Sequence, residues 1–425
     1  MSGTIQQAPT RDPPRPIVAA GLDLYSDAFI DNPYETYARL RREDPVCRVD
    51  AMNAWFVTRH DDVKTVALDG RFRVDFERLQ TNRMGPGVVN EPYYAFGREF
   101  MAFADPPHHT RLKKLFAASF GRNQAEAQIP AMKAIIDETI DGFLDRGRIN
   151  LVEDFAHAVP LRIISGLLGI PEADRKVLED WVEGYNPVIG FPPMTPEQLR
   201  RANEATHGFN GYFGDVLAER RARPGDDLIS ELLARNRDLE APLDELQIVS
   251  NLILLYFAGQ DTQKGHLGNV IVALHRHPDQ LAWLREDPGR IWACVNELMR
   301  YDSVSQIVGR VAVQDLELRG KRIAEGQTVL ISIGSANRDE AVFPDPDRFD
   351  LERPEARFGL AFGIGAHSCL GANFARLSIP LMVEALLRRL PDMEVDFDGL
   401  VRNRTLSKRG YGVVPVSWRT ARAQP

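Results

Sequence analysis

Of the three cysteines in the chain, Cys47, Cys294 and Cys369, the last has an unusual setting. It sits in FGIGAHSCLG, Phe362 to Gly371, behind two glycines and a histidine, and a helical pattern, LGANFARLSIPLMVEALLRRL, follows it directly. Gly363 and Gly365 let the backbone turn tightly and approach a flat ligand with no Cβ in the way. A sulfur at a helix N-terminus meets free N–H groups and the positive end of the helix dipole, and both favour a thiolate. Such a thiolate is suited to bind a metal, with backbone N–H groups aimed at the sulfur to tune it. Phe362 is placed to pack beside the ligand. A structural cysteine buried after a glycine turn is the plainer alternative, and it requires none of this arrangement.

A second group of chemically capable residues interrupts the longest helical pattern, which runs from Asp244 to His277 and is stopped by Pro278. At 1.5 Å per residue this helix is about 50 Å long, enough to cross a domain as its buried centre. Its middle reads AGQDT, Ala258 to Thr262, directly after the apolar run NLILLYF. Glycine costs about 1 kcal/mol in a helix interior, and Asp and Thr compete for backbone hydrogen bonds. Polar residues at the centre of a buried helix need a reason; a kink with a solvated Asp261 is the alternative to a functional one. NELMR places Glu297 and Arg300 three apart on one helix face, a pattern that is usually a surface ion pair of little value. ADPPHHTRLKKL begins a helix after two prolines and puts His109 and Lys113 on one face.

The elements that must position these residues are mostly helical. IPAMKAIIDETIDGFLDRG is an amphipathic helix with Gly147 just past its end, and VIGFPPMTP, Val188 to Pro196, separates two helices. GRVAVQDLELRGKRIAEGQTVLISI alternates as strands do, with a turn at Arg319 to Lys321. Asp75 to Met101 lacks a clear period and reads as a structureless binding loop or lid. At 44% apolar and 26% charged residues the chain has ample core material. Its net charge of −8 argues against nucleic acid, which needs concentrated Lys and Arg. Three cysteines build no disulfide framework, and no CxxC pair suggests zinc. The proline-rich start, residues 1–17, is expected to be flexible and lacks the apolar core of a signal peptide. The most apolar run is about half of a membrane span. These features lead to the expectation of a cytoplasmic protein with no membrane partner.

FGIGAHSCLG resembles the haem-ligand loop of the cytochrome P-450 superfamily, the haem-thiolate monooxygenases, with every position of that pattern matched. The resemblance runs from about Asn32 to Trp418 with the motifs in order. It implies one mainly α domain, residues 18–425, with a small β region. This is the triangular-prism fold, with haem b between a long central distal helix and a proximal helix. It implies Cys369 as axial thiolate, which pushes electron density onto iron and favours O–O cleavage. Phe362, Gly363 and Gly365 then shape the loop. His367, Arg310, His109 and Lys113 hold the propionates, Lys113 standing where members commonly have Arg. Thr262 and Asp261 serve proton delivery, and Gln263 and Lys264 depart from the small or hydroxyl residues that often follow. Leu254, Phe257, Ala258, Gln306 and Val308 line the substrate pocket. The Asp75 to Met101 loop is its roof, where Arg83, Arg98, Tyr93 and Tyr94 offer polar contacts. Glu297, Arg300 and, from PDRF, Arg348 lock the core structurally. VIGFPPMTP forms part of the access lid.

The activity so implied is insertion of one atom of O2 into an organic small molecule by hydroxylation, epoxidation or dealkylation. Nothing in the chain resembles a flavin or iron–sulfur domain, so the electrons come from a separate ferredoxin or flavodoxin with its reductase. Arg111, Lys114 and Arg376 offer that donor a basic patch. Two other readings stay open. The same haem site serves oxidative coupling, desaturation or peroxide-driven chemistry, and a P-450-like fold can serve as a non-catalytic docking protein that binds without electron uptake.

Overall fold

The computed structural model describes residues 22–420. The expected boundary at residue 17 lies outside them. The Asp244 to His277 pattern forms a single helix, Glu245–Arg276, hereafter the distal helix. Its start is a capping box: the Asp244 carboxylate accepts from the Gln247 N–H at 2.9 Å and Gln247 Oε1 accepts from the Asp244 N–H at 3.2 Å. Pro278 cannot continue it. AGQDT does not break the helix. Gln260, Thr262 and Gln263 each donate to the carbonyl one turn back, those of Tyr256, Ala258 and Gly259, at 3.1, 2.9 and 3.0 Å. Each polar side chain thus satisfies itself locally and leaves the helical ladder intact.

Among the helices that pack on the distal helix are Ala158–Leu167, Pro196–Ala222 and the proximal helix Ala372–Arg389. Their contacts form the main apolar core, to which Leu252, Ile253 and Ile271 belong. A five-stranded sheet lies to one side, in the order Val46–Val49, Ala54–Val57, Thr328–Ser332, Ile307–Ala312, Phe72–Arg73. Its pairs are antiparallel except Ala54–Val57 with Thr328–Ser332. Val308 lies opposite Ile331 in this register. The expected strands after NELMR all form, with the turn at Arg319 and Gly320.

The stretch Asp75 to Met101 is not a structureless loop. It holds helices Phe76–Met84 and Pro92–Gly97 joined by a short 3₁₀ turn. Local pattern misses them because they are too short to be stable alone. Tertiary burial supports them: Phe76 stacks on Tyr94 and Phe103, with ring centroids 5.5 and 4.9 Å apart. The Asp75 side chain caps the first helix at the Arg78 N–H.

Glu297 and Arg300 form a fully buried two-pronged pair, with N–O distances of 2.6 and 2.7 Å. The third member is Arg353, not Arg348. Arg353 Nε lies 3.4 Å from Glu297 Oε1, whereas the Arg348 side chain is 69% exposed and has only Asp350, at 3.9 Å. Arg348 offers its backbone carbonyl to Arg353 instead. The system reaches the cysteine loop: Arg300 donates to the Asn337 carbonyl at 2.8 Å, and Asn337 Oδ1 accepts from the Leu360 N–H at 2.6 Å. Removing one partner of a buried ion pair leaves an uncompensated charge. Arg353→Ala is therefore expected to cost about 3 kcal/mol, against about 0.5 kcal/mol or less for Arg348→Ala. Urea unfolding of the two variants measures both, and equal losses would remove Arg353 from the trio.

Candidate functional site

A cavity of about 440 Å³ lies between the distal helix and the loop that carries Cys369. The loop takes its shape from two left-handed residues, Gly363 at φ +67° and Gly365 at φ +76°; a Cβ on Gly365 would come within 2.8 Å of Leu68. The Cys369 N–H closes the loop on the Phe362 carbonyl at 2.8 Å. Cys369 is exposed and opens onto the cavity just ahead of the proximal helix. Burial pushes the thiol pKa up, and the Gly371 N–H, Lys113 and Arg376 pull against it without offsetting it. The helix terminus alone therefore does not outweigh burial at the sulfur. A bound metal cation favours the thiolate further, because it deprotonates a coordinating thiol outright.

Basic side chains gather on one part of the wall. His109 is 4% exposed and Arg310 is 6% exposed, and the His109 and His367 rings lie 4.5 Å apart. Burial, then Arg310 and His109, lower the His367 pKa to about 4, and its buried Nδ1 has no hydrogen-bond partner. Arg310 donates to the Gly309 carbonyl at 2.8 Å. Lys113 reaches the loop itself, donating to the Ala366 carbonyl at 2.6 Å, and burial lowers its pKa. Among the described residues no Asp or Glu lines the cavity. The nearby Asp105 carboxylate is held by the Val74 and Asp75 N–H groups at 3.0 and 2.9 Å.

The distal wall is a helical stripe. Leu254, Ala258, Thr262 and His266 recur every four residues and all line the cavity. Phe257 was expected beside them but falls, with Asp261, on the neighbouring face. There Lys408 pairs with Asp261 and lies 4.5 Å from the Phe257 ring centroid. Neither residue lines the cavity. Gln306 is also absent from the wall. It precedes the strand, which starts at Ile307, so its side chain does not share the alternation of Val308. It accepts from Tyr37 Oη at 3.1 Å and donates to the Ser303 carbonyl at 2.7 Å. Val308 does line the cavity, next to Ile331. His266 was not expected there, although its place one turn past Thr262 is a signal the sequence carries.

The departures after Thr262 have separate partners. Gln263 Oε1 accepts from Ser378 Oγ of the proximal helix at 2.5 Å, and Lys264 lies 4.0 Å from Glu153. The polar residues of the roof turn away from the cavity. Arg83 donates to the carbonyls of Pro187, Val188 and Pro192 at 2.6, 2.8 and 2.7 Å, tying the roof to the segment expected to be the lid. Arg98 pairs with Glu99, Tyr93 donates to Gln80 and Tyr94 to Glu77. The roof contributes Met101, Ala102 and Phe103 instead, which makes it apolar. Of the cations expected to meet an electron donor, Lys114 is exposed, whereas Arg111 donates to Gln247 and Arg376 to Asn296.

The sequence profile described as cytochrome P-450 matches residues 9–398. The chain is 34% identical to the cytochrome P-450 monooxygenase PikC of Streptomyces venezuelae, over 98% of this chain and 97% of that one. It is 34% identical to the 6-deoxyerythronolide B hydroxylase of Saccharopolyspora erythraea, over 93% and 98%. The crystal structure of CalO2 matches with a TM-score of 0.86 at 31% identity, covering 93% of this chain and 98% of that one. Members of the family bind haem b through a cysteine thiolate. Its bacterial members use an organic substrate, O2 and a ferredoxin with its reductase. No helix among the described residues is long and apolar enough to cross a membrane. Family match, relatives and fold agree over nearly the whole chain, which belongs to the cytochrome P-450 family and is a haem-dependent monooxygenase.

Proposed function

We propose that Cys369 would hold haem b through its thiolate, that His109, Lys113, Arg310 and His367 would hold its propionates, and that the substrate is a largely apolar molecule lying against Leu254, Ala258 and Val308. The reaction is insertion of one oxygen atom into a C–H or C=C bond. One observation carries this reading: a cysteine opens onto an apolar cavity whose wall bears His109, Lys113, Arg310 and His367 on one side and, among the described residues, no carboxylate. A flat apolar group with two carboxylates and a metal that takes a thiolate fits that donor set. The buried, unpartnered Nδ1 of His367 calls for a polar partner of the same kind.

When bound, the haem supplies iron that activates O2 with electron density pushed from the thiolate. The chain's own residues do the rest. The Gly371 N–H, with Lys113 and Arg376, stabilises negative charge on the sulfur. Thr262 anchors its hydroxyl on the Ala258 carbonyl at 2.9 Å and turns oxygen lone pairs to the cavity, where they position a proton-carrying water. Asp261 lies on the outer side of the same turn, paired with Lys408, and it exchanges protons with solvent from there. Met101, Phe103 and Ile331 exclude bulk water from the site. The proposed location is the cytoplasm, alongside the electron donor.

The test is the spectrum of the reduced protein under carbon monoxide. A strongly red-shifted Soret band is expected, and Cys369→Ala is expected to abolish it. The same band in that variant would place the ligand elsewhere. Thr262→Ala is expected to keep the band but lower product per electron pair by about tenfold, with peroxide rising, since water replaces a positioned proton carrier only in part. Unchanged coupling would remove Thr262 from proton delivery.

A further inference from the structure

The distal helix carries a fully buried amide, Asn251, that no step assigned above uses. It sits one turn before Leu255, which lines the cavity, but does not line the cavity itself. Its partners lie in the roof. Asn251 Nδ2 donates to the Glu99 carbonyl at 2.8 Å, and Asn251 Oδ1 accepts from the Met101 N–H at 2.8 Å. The second hydrogen on Nδ2 goes to the Gln247 carbonyl of the distal helix itself, also at 2.8 Å. Both donors of the amide are therefore used, and its oxygen is paired as well. The reverse orientation would set the NH2 group against the Met101 N–H, donor against donor, so the partners fix which way the amide points.

The pinned segment leads straight into the cavity wall. Met101, Ala102 and Phe103 are the roof residues that line it. Phe100, between the two pinned backbone groups, is fully buried, with its ring 5.7 Å from Tyr185 and 5.9 Å from Phe103. Apolar burial of this kind holds the segment down but is non-directional, so it does not by itself fix height or register. A fully satisfied buried hydrogen-bond network does, because it rigidifies one arrangement. The Glu99 side chain ties the same segment on a further side: its Oε2 lies 2.8 Å from His108 Nε2 and 3.4 Å from Gln247 Nε2. His108 opens the helix His108–Ala117, which also carries His109 and Lys113.

We propose that Asn251 is a positioning residue for substrate selection. By holding the Glu99 carbonyl and the Met101 N–H it presets the height of Met101, Ala102 and Phe103 over the cavity, and the site thereby favours rigid apolar molecules that fit a wall already in place. This rests on the haem-thiolate reading and adds to it the part of the wall that sorts substrates. A preorganised wall gives affinity because no ordering of the loop has to accompany binding.

The experiment uses haem-loaded protein and two ligands of the iron, imidazole and 4-phenylimidazole, with dissociation constants read from the Soret shift. The phenyl group is a rigid apolar addition that fills space imidazole leaves empty. The unaltered protein is expected to bind 4-phenylimidazole at least about tenfold more tightly, from the apolar surface it buries. Asn251→Leu keeps a similar volume and removes all three hydrogen bonds. It is expected to cut that ratio about fivefold, the scale of ordering one or two side chains on binding, and to leave the imidazole constant within about twofold. Asn251→Asp keeps the shape and the acceptor for Met101 but loses the donors, and an intermediate ratio is expected. Amide exchange in residues 98–104 is expected to quicken in Asn251→Leu while that in residues 264–274 of the distal helix stays unchanged. Should Asn251→Leu fail to take up haem, Asn251→Asp and Asn251→Ser carry the comparison, each with a reduced ratio and faster exchange in 98–104 expected. Faster exchange with an unchanged or larger ratio overturns the assignment, since the pin would then be structural only. Unchanged exchange, or no preference for 4-phenylimidazole in the unaltered protein, overturns it as well. The carbon monoxide spectrum is recorded first on every sample: its failure in the unaltered protein defeats the haem-thiolate reading, whereas failure of the Asn251 proposal leaves that band intact.

Discussion

A sulfur cannot be both buried and negatively charged unless something compensates the lost hydration, and the structure is organised around that constraint at Cys369. Burial dominates the thiol, and the helix-end N–H of Gly371, Lys113 and Arg376 together do not reverse it. What the protein must provide in advance is position. The loop is held by its own closure from Cys369 to Phe362 and by a chain of buried hydrogen bonds from Glu297 through Arg300 and Asn337 to Leu360. An ion pair of this kind is weak evidence for stability. Its use here is to fix the register between the helix Ile291–Tyr301 and the loop.

Opposite the loop, the distal helix works as a ruler. With 3.6 residues per turn, a four-residue repeat keeps Leu254, Ala258, Thr262 and His266 facing the cavity. Positions one residue earlier in each turn face elsewhere, so that Phe257 and Asp261 meet Lys408 from the C-terminal region. The acidic and hydroxyl members of AGQDT are adjacent in sequence yet point to different surroundings. That separation suits a relay, because one member touches the outer side and the other the cavity.

The cavity sorts its charges as strictly as its apolar surface. Four basic residues share one wall, where a dianionic cofactor edge is the natural counter-charge. Elsewhere, charged side chains are paired before they can reach the substrate: Lys408 with Asp261, Arg409 with Asp302, and Arg83 with three backbone carbonyls. The roof is left apolar by the same logic. A substrate entering this space finds dispersion contacts and few neutral polar groups, which favours selection by shape and by single hydrogen bonds.

The sequence by itself determined the features that repeat locally or that only one chemistry explains. The glycine-flanked Cys369, the unbroken distal helix from its capping box to Pro278, the Glu297–Arg300 spacing and the alternating strands after it are all legible in the chain, because each is fixed by residues within a turn or two. The tertiary structure decided the rest. Arg353 rather than Arg348 reaches Glu297 because an irregular segment has no period from which to infer its inward side. Gln306 leaves the cavity because the strand begins one residue later. The roof is helical because Phe76, Tyr94 and Phe103 stack there, a contact that no local pattern encodes. Periodicity assigns a side chain to a face, but only packing shows what that face meets.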